Sequence, residues 1–253
     1  EKLQINDSKN YFLLRHFFNF FIFFVSSIFF YLLLRKRFTK ELSVIGLLFL
    51  ILSPRIFAES FYNMKDIVFL SFFIISLYFA INLLDSFSYK NAFFSSITCS
   101  LVIAVKVIGI IVPFIVFIFF ILKSLDNINY LKKSILKLIL FFFLLANFTI
   151  IFCPYLWNNP LSNFLKTLIS FSSHPWKGSI FYFGEYISAL NLPWHYPIVW
   201  ILISTPIIYL LLFFLGSVLI LKRLAFRFLK LSTEKEFNDM WRGNKERMDI
   251  IFF

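Results

Sequence analysis

Acidic residues are scarce in this chain: 13 Asp and Glu stand against 25 Lys and Arg, for a formal charge of +12. Histidine (3) and cysteine (2) are scarcer, and only 6 of the 253 residues are glycine. Each shortage removes a class of protein. Cys99 and Cys153 lie inside or at the edge of apolar runs, with no CxxC and no partner spacing, which excludes a disulfide framework and a thiolate metal centre. His16, His174 and His195 alone are too few for a histidine metal site; whether a divalent metal assists in another way is open. No Walker loop, GxSxG, HExxH or GxGxxG occurs, so soluble nucleotide and hydrolase chemistry finds no support. The positive charge would suggest nucleic acid in a soluble chain. Here the basic residues fall in short segments between apolar runs, as topology signals do, and no basic groove with interleaved aromatics appears.

What is abundant is apolar surface. Hydrophobic residues make up 60% of the chain, 40 of them phenylalanine, and the mean hydropathy is +0.84. Soluble domains are only about half apolar, so the composition predicts an all-α, polytopic bundle of transmembrane helices. A first span is expected from about Tyr11 to Leu34, followed by the basic cluster Arg35, Lys36, Arg37 and Lys40, which the positive-inside rule places in the cytoplasm. A shorter run, Leu42 to Leu52, returns outward, and Ile67 to Leu84 crosses inward. The run from Ala92 to Leu122 reads either as one tilted span or as two short helices. Both flanks look cytoplasmic, so an even number of crossings is the better reading, with a turn near Lys106, Gly109 and Pro113. Lys137 to Phe152 and Pro197 to Leu221 complete about seven crossings. Residues 1–230 form the transmembrane core, and 231–253 a cytoplasmic tail leading toward a further span. Glu1 in place of methionine and the closing run Asp249-Ile-Ile-Phe-Phe253 read as an interior piece of a longer protein.

Against that background the stretch Ser53-Pro-Arg-Ile-Phe-Ala-Glu-Ser-Phe-Tyr-Asn-Met-Lys-Asp66 gathers Arg55, Glu59, Asn63, Lys65 and Asp66. Ser53 suits a helix N-cap and Pro54 its first turn. On the resulting helix Arg55, Glu59 and Asn63 recur every fourth residue as one polar stripe, the pattern of a helix lying in an interface. An arginine in the first turn opposes the helix dipole, and Arg before Glu is the weaker pairing order, worth only about 0.3 kcal/mol. A partner outside the helix therefore explains Arg55 better. Two readings stay open for the acids: mutually neutralising ion pairs with Arg55 and Lys65, or a pocket with base-like carboxylates and phosphate-binding cations. Lys106 must snorkel, pair or face a cavity.

The segment from Pro154 to Tyr196 is too long for a connector and carries Trp157, Trp176 and Trp194. Indoles at one membrane face form an aromatic belt or offer flat surfaces to sugar rings and prenyl chains. From Asn159 to Ser172 the apolar residues recur at helical spacing, which predicts an amphipathic helix on the bilayer. His174-Pro-Trp-Lys-Gly178 and Leu192-Pro-Trp-His-Tyr-Pro197 are stiff loops with polar tips.

The central stretch, together with Arg15-His16-Phe-Phe-Asn19, His174-Pro-Trp-Lys-Gly178 and Leu192-Pro-Trp-His-Tyr196, resembles the polytopic glycosyltransferases of the dolichyl-phosphate-mannose protein mannosyltransferase type and their bacterial relatives, of GT-C architecture. The likeness runs from about Tyr11 to Leu221. It implies transfer of a sugar from a polyprenyl-phosphate donor to an acceptor at the external face of a membrane, the inner membrane if the source is bacterial. In that family an acid in the first external loop is the catalytic base. Asp7 is a poor substitute, so the base is expected upstream of residue 1. The substrate-binding residues implied are Arg55, Glu59, Asn63, Lys65, Asp66, Lys106, His174, Trp176, Lys177, Trp194 and His195. The competing classes are a transporter or flippase of lipid-linked sugars and a non-catalytic membrane scaffold.

Overall fold

Helix α1 runs from Lys2–Arg35, nearly the full thickness of a bilayer and more, and breaks where Arg35, Lys36 and Arg37 replace the phenylalanines. Its apolar, membrane-length part is Ser8–Arg35, close to the span expected from about Tyr11 to Leu34. In the computed structural model, which describes residues 2–126, 128–172 and 178–229, the chain then builds ten α-helices and one β-hairpin. Helix α2 (Lys40–Ile51) opens on Thr39, whose hydroxyl accepts from the amide of Leu42, and α3 (Pro54–Tyr62) follows at a bend of 62°. As the sequence predicts, α3 begins at Pro54, though Ser53 makes no side-chain cap; the first turn is closed by the Phe57 amide on the Ser53 carbonyl at 2.8 Å.

Helices α4 (Asp66–Asp85), α5 (Tyr89–Val105), α6 (Ile111–Asp126) and α7 (Ile128–Phe152) form the heart of the first compact unit, Glu1–Leu168. Helix α5 is its centre, packed between α4 and α7, with α1 on the other side of α4 and α6 against both α4 and α7. The core reads across these helices: Leu83 and Phe87, Ala92 and Cys99, Val112, Val116 and Phe120, Leu138 and Phe141. Small residues line the contacts. Ser95, Ser96 and Ser100 on α5 and Ser71 and Ser76 on α4 are fully buried, which lets the backbones approach closely, as membrane helices pack. At one end of the unit Lys36 pairs with Asp85 at 3.0 Å, and Asn91 donates to the Asn82 and Ser86 carbonyls; this is the end where the basic loops gather.

The apolar run from Ala92 to Leu122 divides at Lys106, as expected. Lys106 takes extended angles (φ −146, ψ 129), a 3-10 turn at Val107–Ile110 reverses the chain, and α6 begins with Pro113 in its first turn, where a missing amide costs nothing.

The second unit begins at Ile169. Helix α8 (Pro160–Ser172), which reaches across the boundary, is the amphipathic helix predicted, with Leu161, Leu165 and Ile169 exposed. The strands β1 (Ser179–Tyr182) and β2 (Glu185–Ser188) then pair antiparallel through a turn at Phe183 and Gly184. An all-helical reading missed this hairpin. The expected single span from Pro197 to Leu221 is also corrected: it is two helices, α9 (Tyr196–Ser204) and α10 (Ile207–Leu229), bent by 117°. Pro206 lies at the break, because its ring clashes with the preceding turn and it cannot donate, and Thr205 is extended (φ −102, ψ 131).

By length and composition, three helices among the described residues cross a membrane alone (α1, α4 and α7), and five if each bent pair is one span. A total of seven needs the shorter apolar helices α5 and α6 to cross as well, and that count is not established. The tail expected over 231–253 lies outside the described residues.

Gly109 tests the tightness of the α5 to α6 reversal. A Cβ there would lie 2.8 Å from the Val102 carbonyl carbon and 3.0 Å from the Ile103 amide, backbone atoms that cannot yield. At Gly46 a Cβ would meet only the end of the Leu34 side chain, at 2.6 Å. Gly109→Ala should therefore lose about 1–3 kcal/mol by overpacking, read as a lower midpoint of thermal unfolding in detergent, while Gly46→Ala loses less because Leu34 can turn away.

Candidate functional site

The polar residues of the central stretch assemble where α3 ends and α4 begins. Asn63 closes α3 with its amide on the Glu59 carbonyl (2.8 Å) and leaves the helix with extended ψ. Its side-chain carbonyl then turns back to accept from the amides of Lys65 (3.2 Å) and Asp66 (2.9 Å). This is an Asx turn that caps the first turn of α4. The Nδ2 of the same side chain donates to Glu59 Oε2 and to Asp66 Oδ2, each at 3.0 Å. One amide thus both starts α4 and holds two carboxylates together.

Two carboxylates sharing one neutral donor repel each other, and a cation on each flank offsets the repulsion. Arg55 Nε donates to Glu59 Oε1 at 3.0 Å, and Lys106 Nζ pairs with Asp66 Oδ1. The order is Arg55, Glu59, Asn63, Asp66, Lys106, with no net charge. Arg55 therefore finds its partner one turn along its own helix, where the sequence argument looked for one outside. Lys106 arrives from the break between α5 and α6 and also sits over the Phe69 ring at 5.5 Å. The expected pairing of Asp66 with Lys65 is replaced by Lys106, and among the described residues Lys65 enters no ion pair.

The network is neither buried nor free. Side-chain exposure is 56% for Arg55, 21% for Glu59, 59% for Asp66 and 34% for Lys106. Pairs so exposed contribute about 0.2–1 kcal/mol each to stability. Holding the fold together is a small part of what this arrangement does; fixing two cations and two carboxylates in register is the larger part.

Helix α3 is held against α1 by contacts the sequence argument undervalued. Asn19, 3% exposed, donates to the Ser60 carbonyl at 2.7 Å. Phe20 stacks on Phe61 with ring centroids 4.9 Å apart. Arg15 Nε meets the Met64 thioether at 2.9 Å and its guanidinium lies over the Tyr11 ring. Tyr11, Arg15, Asn19 and Met64 help line a cleft of about 260 Å³, and the buried Asn19 Oδ1 has no partner among the described residues. A lone Asn in a phenylalanine-rich span was the available signal, since such a group needs a specific partner.

A larger cavity, about 670 Å³, opens on α5, α6 and α7. Its walls are almost wholly apolar, including Phe114, Phe117, Phe142 and Leu145, and Leu161 and Phe164 of α8. Two of its residues, Ile103 and Ile110, flank Lys106 in the chain.

Trp194 and His195 lie in the second unit just before α9; Trp194 is 83% exposed and stands edge-on to His195, and His195 packs on Tyr182. His174, Trp176 and Lys177 lie outside the described residues. Among the described residues no group of three or more His, Cys, Asp and Glu could hold a metal ion.

The fold and the site define a helical membrane protein with a charged network where α3 ends and α4 begins, and an apolar cavity on α5, α6 and α7. A family model described as dolichyl-phosphate-mannose-protein mannosyltransferase matches residues 12–156, more than half of the 253 residues. The chain belongs to this family, whose members are membrane glycosyltransferases. No curated protein and no solved structure matches it. The matched span takes in the whole network from Arg55 to Lys106 and ends before the hairpin.

Asn63→Ala removes four hydrogen bonds at once and leaves Glu59 and Asp66 facing each other. It should lower stability by about 1–3 kcal/mol, measured by denaturant titration in mixed micelles. Lys65→Ala, one residue from the same network, should stay within about 0.5 kcal/mol.

Proposed function

We propose that this chain forms the carrier-binding part of an enzyme that moves a sugar from a polyprenyl-phosphate donor to an acceptor on the non-cytoplasmic face of a membrane, the inner membrane in a bacterial source. The observation that carries this reading is the fixed pair of cations, Arg55 and Lys106, held in register by Glu59, Asn63 and Asp66 inside the family-matched segment. When a glycosidic bond to a lipid phosphate breaks, negative charge grows on the phosphate. A cation already in place stabilises that charge without reorganising.

Both cations are paired with carboxylates, and magnitudes decide whether that matters. The half-exposed pairs contribute about 0.2–1 kcal/mol each, whereas charge-assisted bonds from Arg or Lys to phosphate oxygens are about twice as strong as neutral ones. A phosphate can therefore draw Arg55 and Lys106 from Glu59 and Asp66 at little cost. The released carboxylates become acceptors for sugar hydroxyls, with Asn63 holding them apart. The apolar cavity beside Lys106 supports the same reading, because a prenyl tail needs walls without polar groups. Trp194 and His195 are assigned to the sugar or acceptor side, and so are His174, Trp176 and Lys177.

The test uses the full-length enzyme in proteoliposomes, with radiolabelled sugar on polyprenyl phosphate. Arg55→Ala and Lys106→Met should each lower transfer by at least about 100-fold, near 3 kcal/mol, while membrane insertion is unchanged. Unchanged turnover in either variant removes that residue from the site.

A further inference from the structure

The hairpin of the second unit has two unlike faces. Tyr182 is 8% exposed and packs on the rings of His195 (5.9 Å) and Tyr196 (5.2 Å), which ties the hairpin to the start of α9. On the opposite face the register sets Phe181 across from Tyr186, with ring centroids 5.2 Å apart, and both are exposed, at 61% and 78%. Alternation along the strands leaves only Ser179 and Ser188 as their companions there, at the far end from the turn. Glu185, opposite Tyr182, belongs to the other face.

The turn itself is the telling feature. Phe183 has φ +50 and Gly184 φ +93. Positive φ at both central residues is the turn for which Asn-Gly is the favoured pair. A bulky aromatic there is strained; its ring meets that of Tyr182 at 4.4 Å, yet its side chain stays 79% exposed. A ring kept at a costly position with most of its surface bare has a use outside the hairpin.

We infer that the tip and outer face of this hairpin, Phe183, Phe181 and Tyr186, insert into the headgroup layer of the bilayer and anchor the second unit to the lipid surface. Three observations favour lipid over a soluble acceptor. The face carries no charge. The hairpin's other face joins it, through Tyr182 and Tyr196, to α9, whose Ile198, Trp200, Ile201 and Ile203 are exposed and which with α10 makes a bent pair apolar enough to cross a membrane. Tyr196 and Trp200, stacked at 6.1 Å, are the amphipathic rings that settle at headgroup depth. A sugar platform would also need hydrogen-bonding groups beside the rings, and the serines lie at the other end. The inference rests on the membrane residence of the chain and is independent of the donor proposed above.

Depth can be read directly on the full chain in liposomes. In a Cys153→Ser background, with Cys99 fully buried, spin labels are placed by Phe183→Cys, Tyr186→Cys and, as the water-side reference, Glu185→Cys. Collision rates with oxygen and with a nickel chelate should differ in ratio by several-fold: high at 183 and 186, low at 185. Equal ratios at the three positions put the hairpin in water and overturn the inference, as a soluble-acceptor site would require. Phe183→Asn suits the turn better than phenylalanine does. It should leave thermal unfolding unchanged or raised while moving the ratio at 186 toward that at 185. A loss of stability with no change at 186 would mean that the ring packs on protein, and would equally overturn it.

Discussion

An ammonium group that ends a helix inside an apolar bundle must meet an anion, water or a cavity, and Lys106 meets Asp66. That single contact ties the break between α5 and α6 to the start of α4. Asp66 in turn is presented by Asn63, which caps α4 with one end of its amide and grips Glu59 with the other. The same few atoms therefore join α3, α4 and the break between α5 and α6, and assemble a charged site. The positions that look least stabilising, exposed pairs contributing under about 1 kcal/mol each, are the ones that the whole arrangement of the first unit presents.

Opposite that end, Lys36 and Asp85 close the bundle in a similar way, with the Lys36 ammonium also over the Tyr78 ring. Between the two ends the helices meet through serine, alanine and cysteine surfaces and through Phe141, Val112 and Val116. A bundle built on small residues and dispersion contacts has little to specify register beyond its terminal polar clasps. The two clasps set the sliding position of α1 against α4 and of α5 against α4.

Much of this was legible in the sequence, for identifiable reasons. The spans follow from composition. The short helix at Pro54, the polar stripe of Arg55, Glu59 and Asn63, and the division of the 92–122 run at Lys106 follow from spacing, proline position and the cost of a charge at depth. Which cation pairs with which acid was not legible. Lys65 is adjacent to Asp66 and Lys106 forty residues away, and only the packing of α5 on α4 brings the distant lysine to the carboxylate. The break at Pro206 was overlooked because the apolar run on either side is continuous and hydropathy is blind to a missing amide. The hairpin was overlooked because Phe-Gly is a poor turn signal, although Ser-Ile-Phe-Tyr before it and Glu-Tyr-Ile-Ser after it are rich in the β-branched and aromatic residues that suit strands. The misreading and the strain have one cause: a phenylalanine where an asparagine would have announced the turn.

Under the proposed function, the site also accounts for how so hydrophobic a family acts on a charged substrate. Arg55 and Lys106 could not be left bare at a membrane surface without attracting any passing lipid phosphate or salt. Pairing each with a carboxylate lowers that background attraction. It leaves the cations available only to a ligand that offers more than one bond and arrives with its tail already seated in an apolar cavity, so that binding of the tail contributes free energy to the exchange of partners at the head. Selectivity for a lipid-linked phosphate then comes from the combination of a self-neutralised polar network and an adjoining greasy groove. Neither would supply it alone.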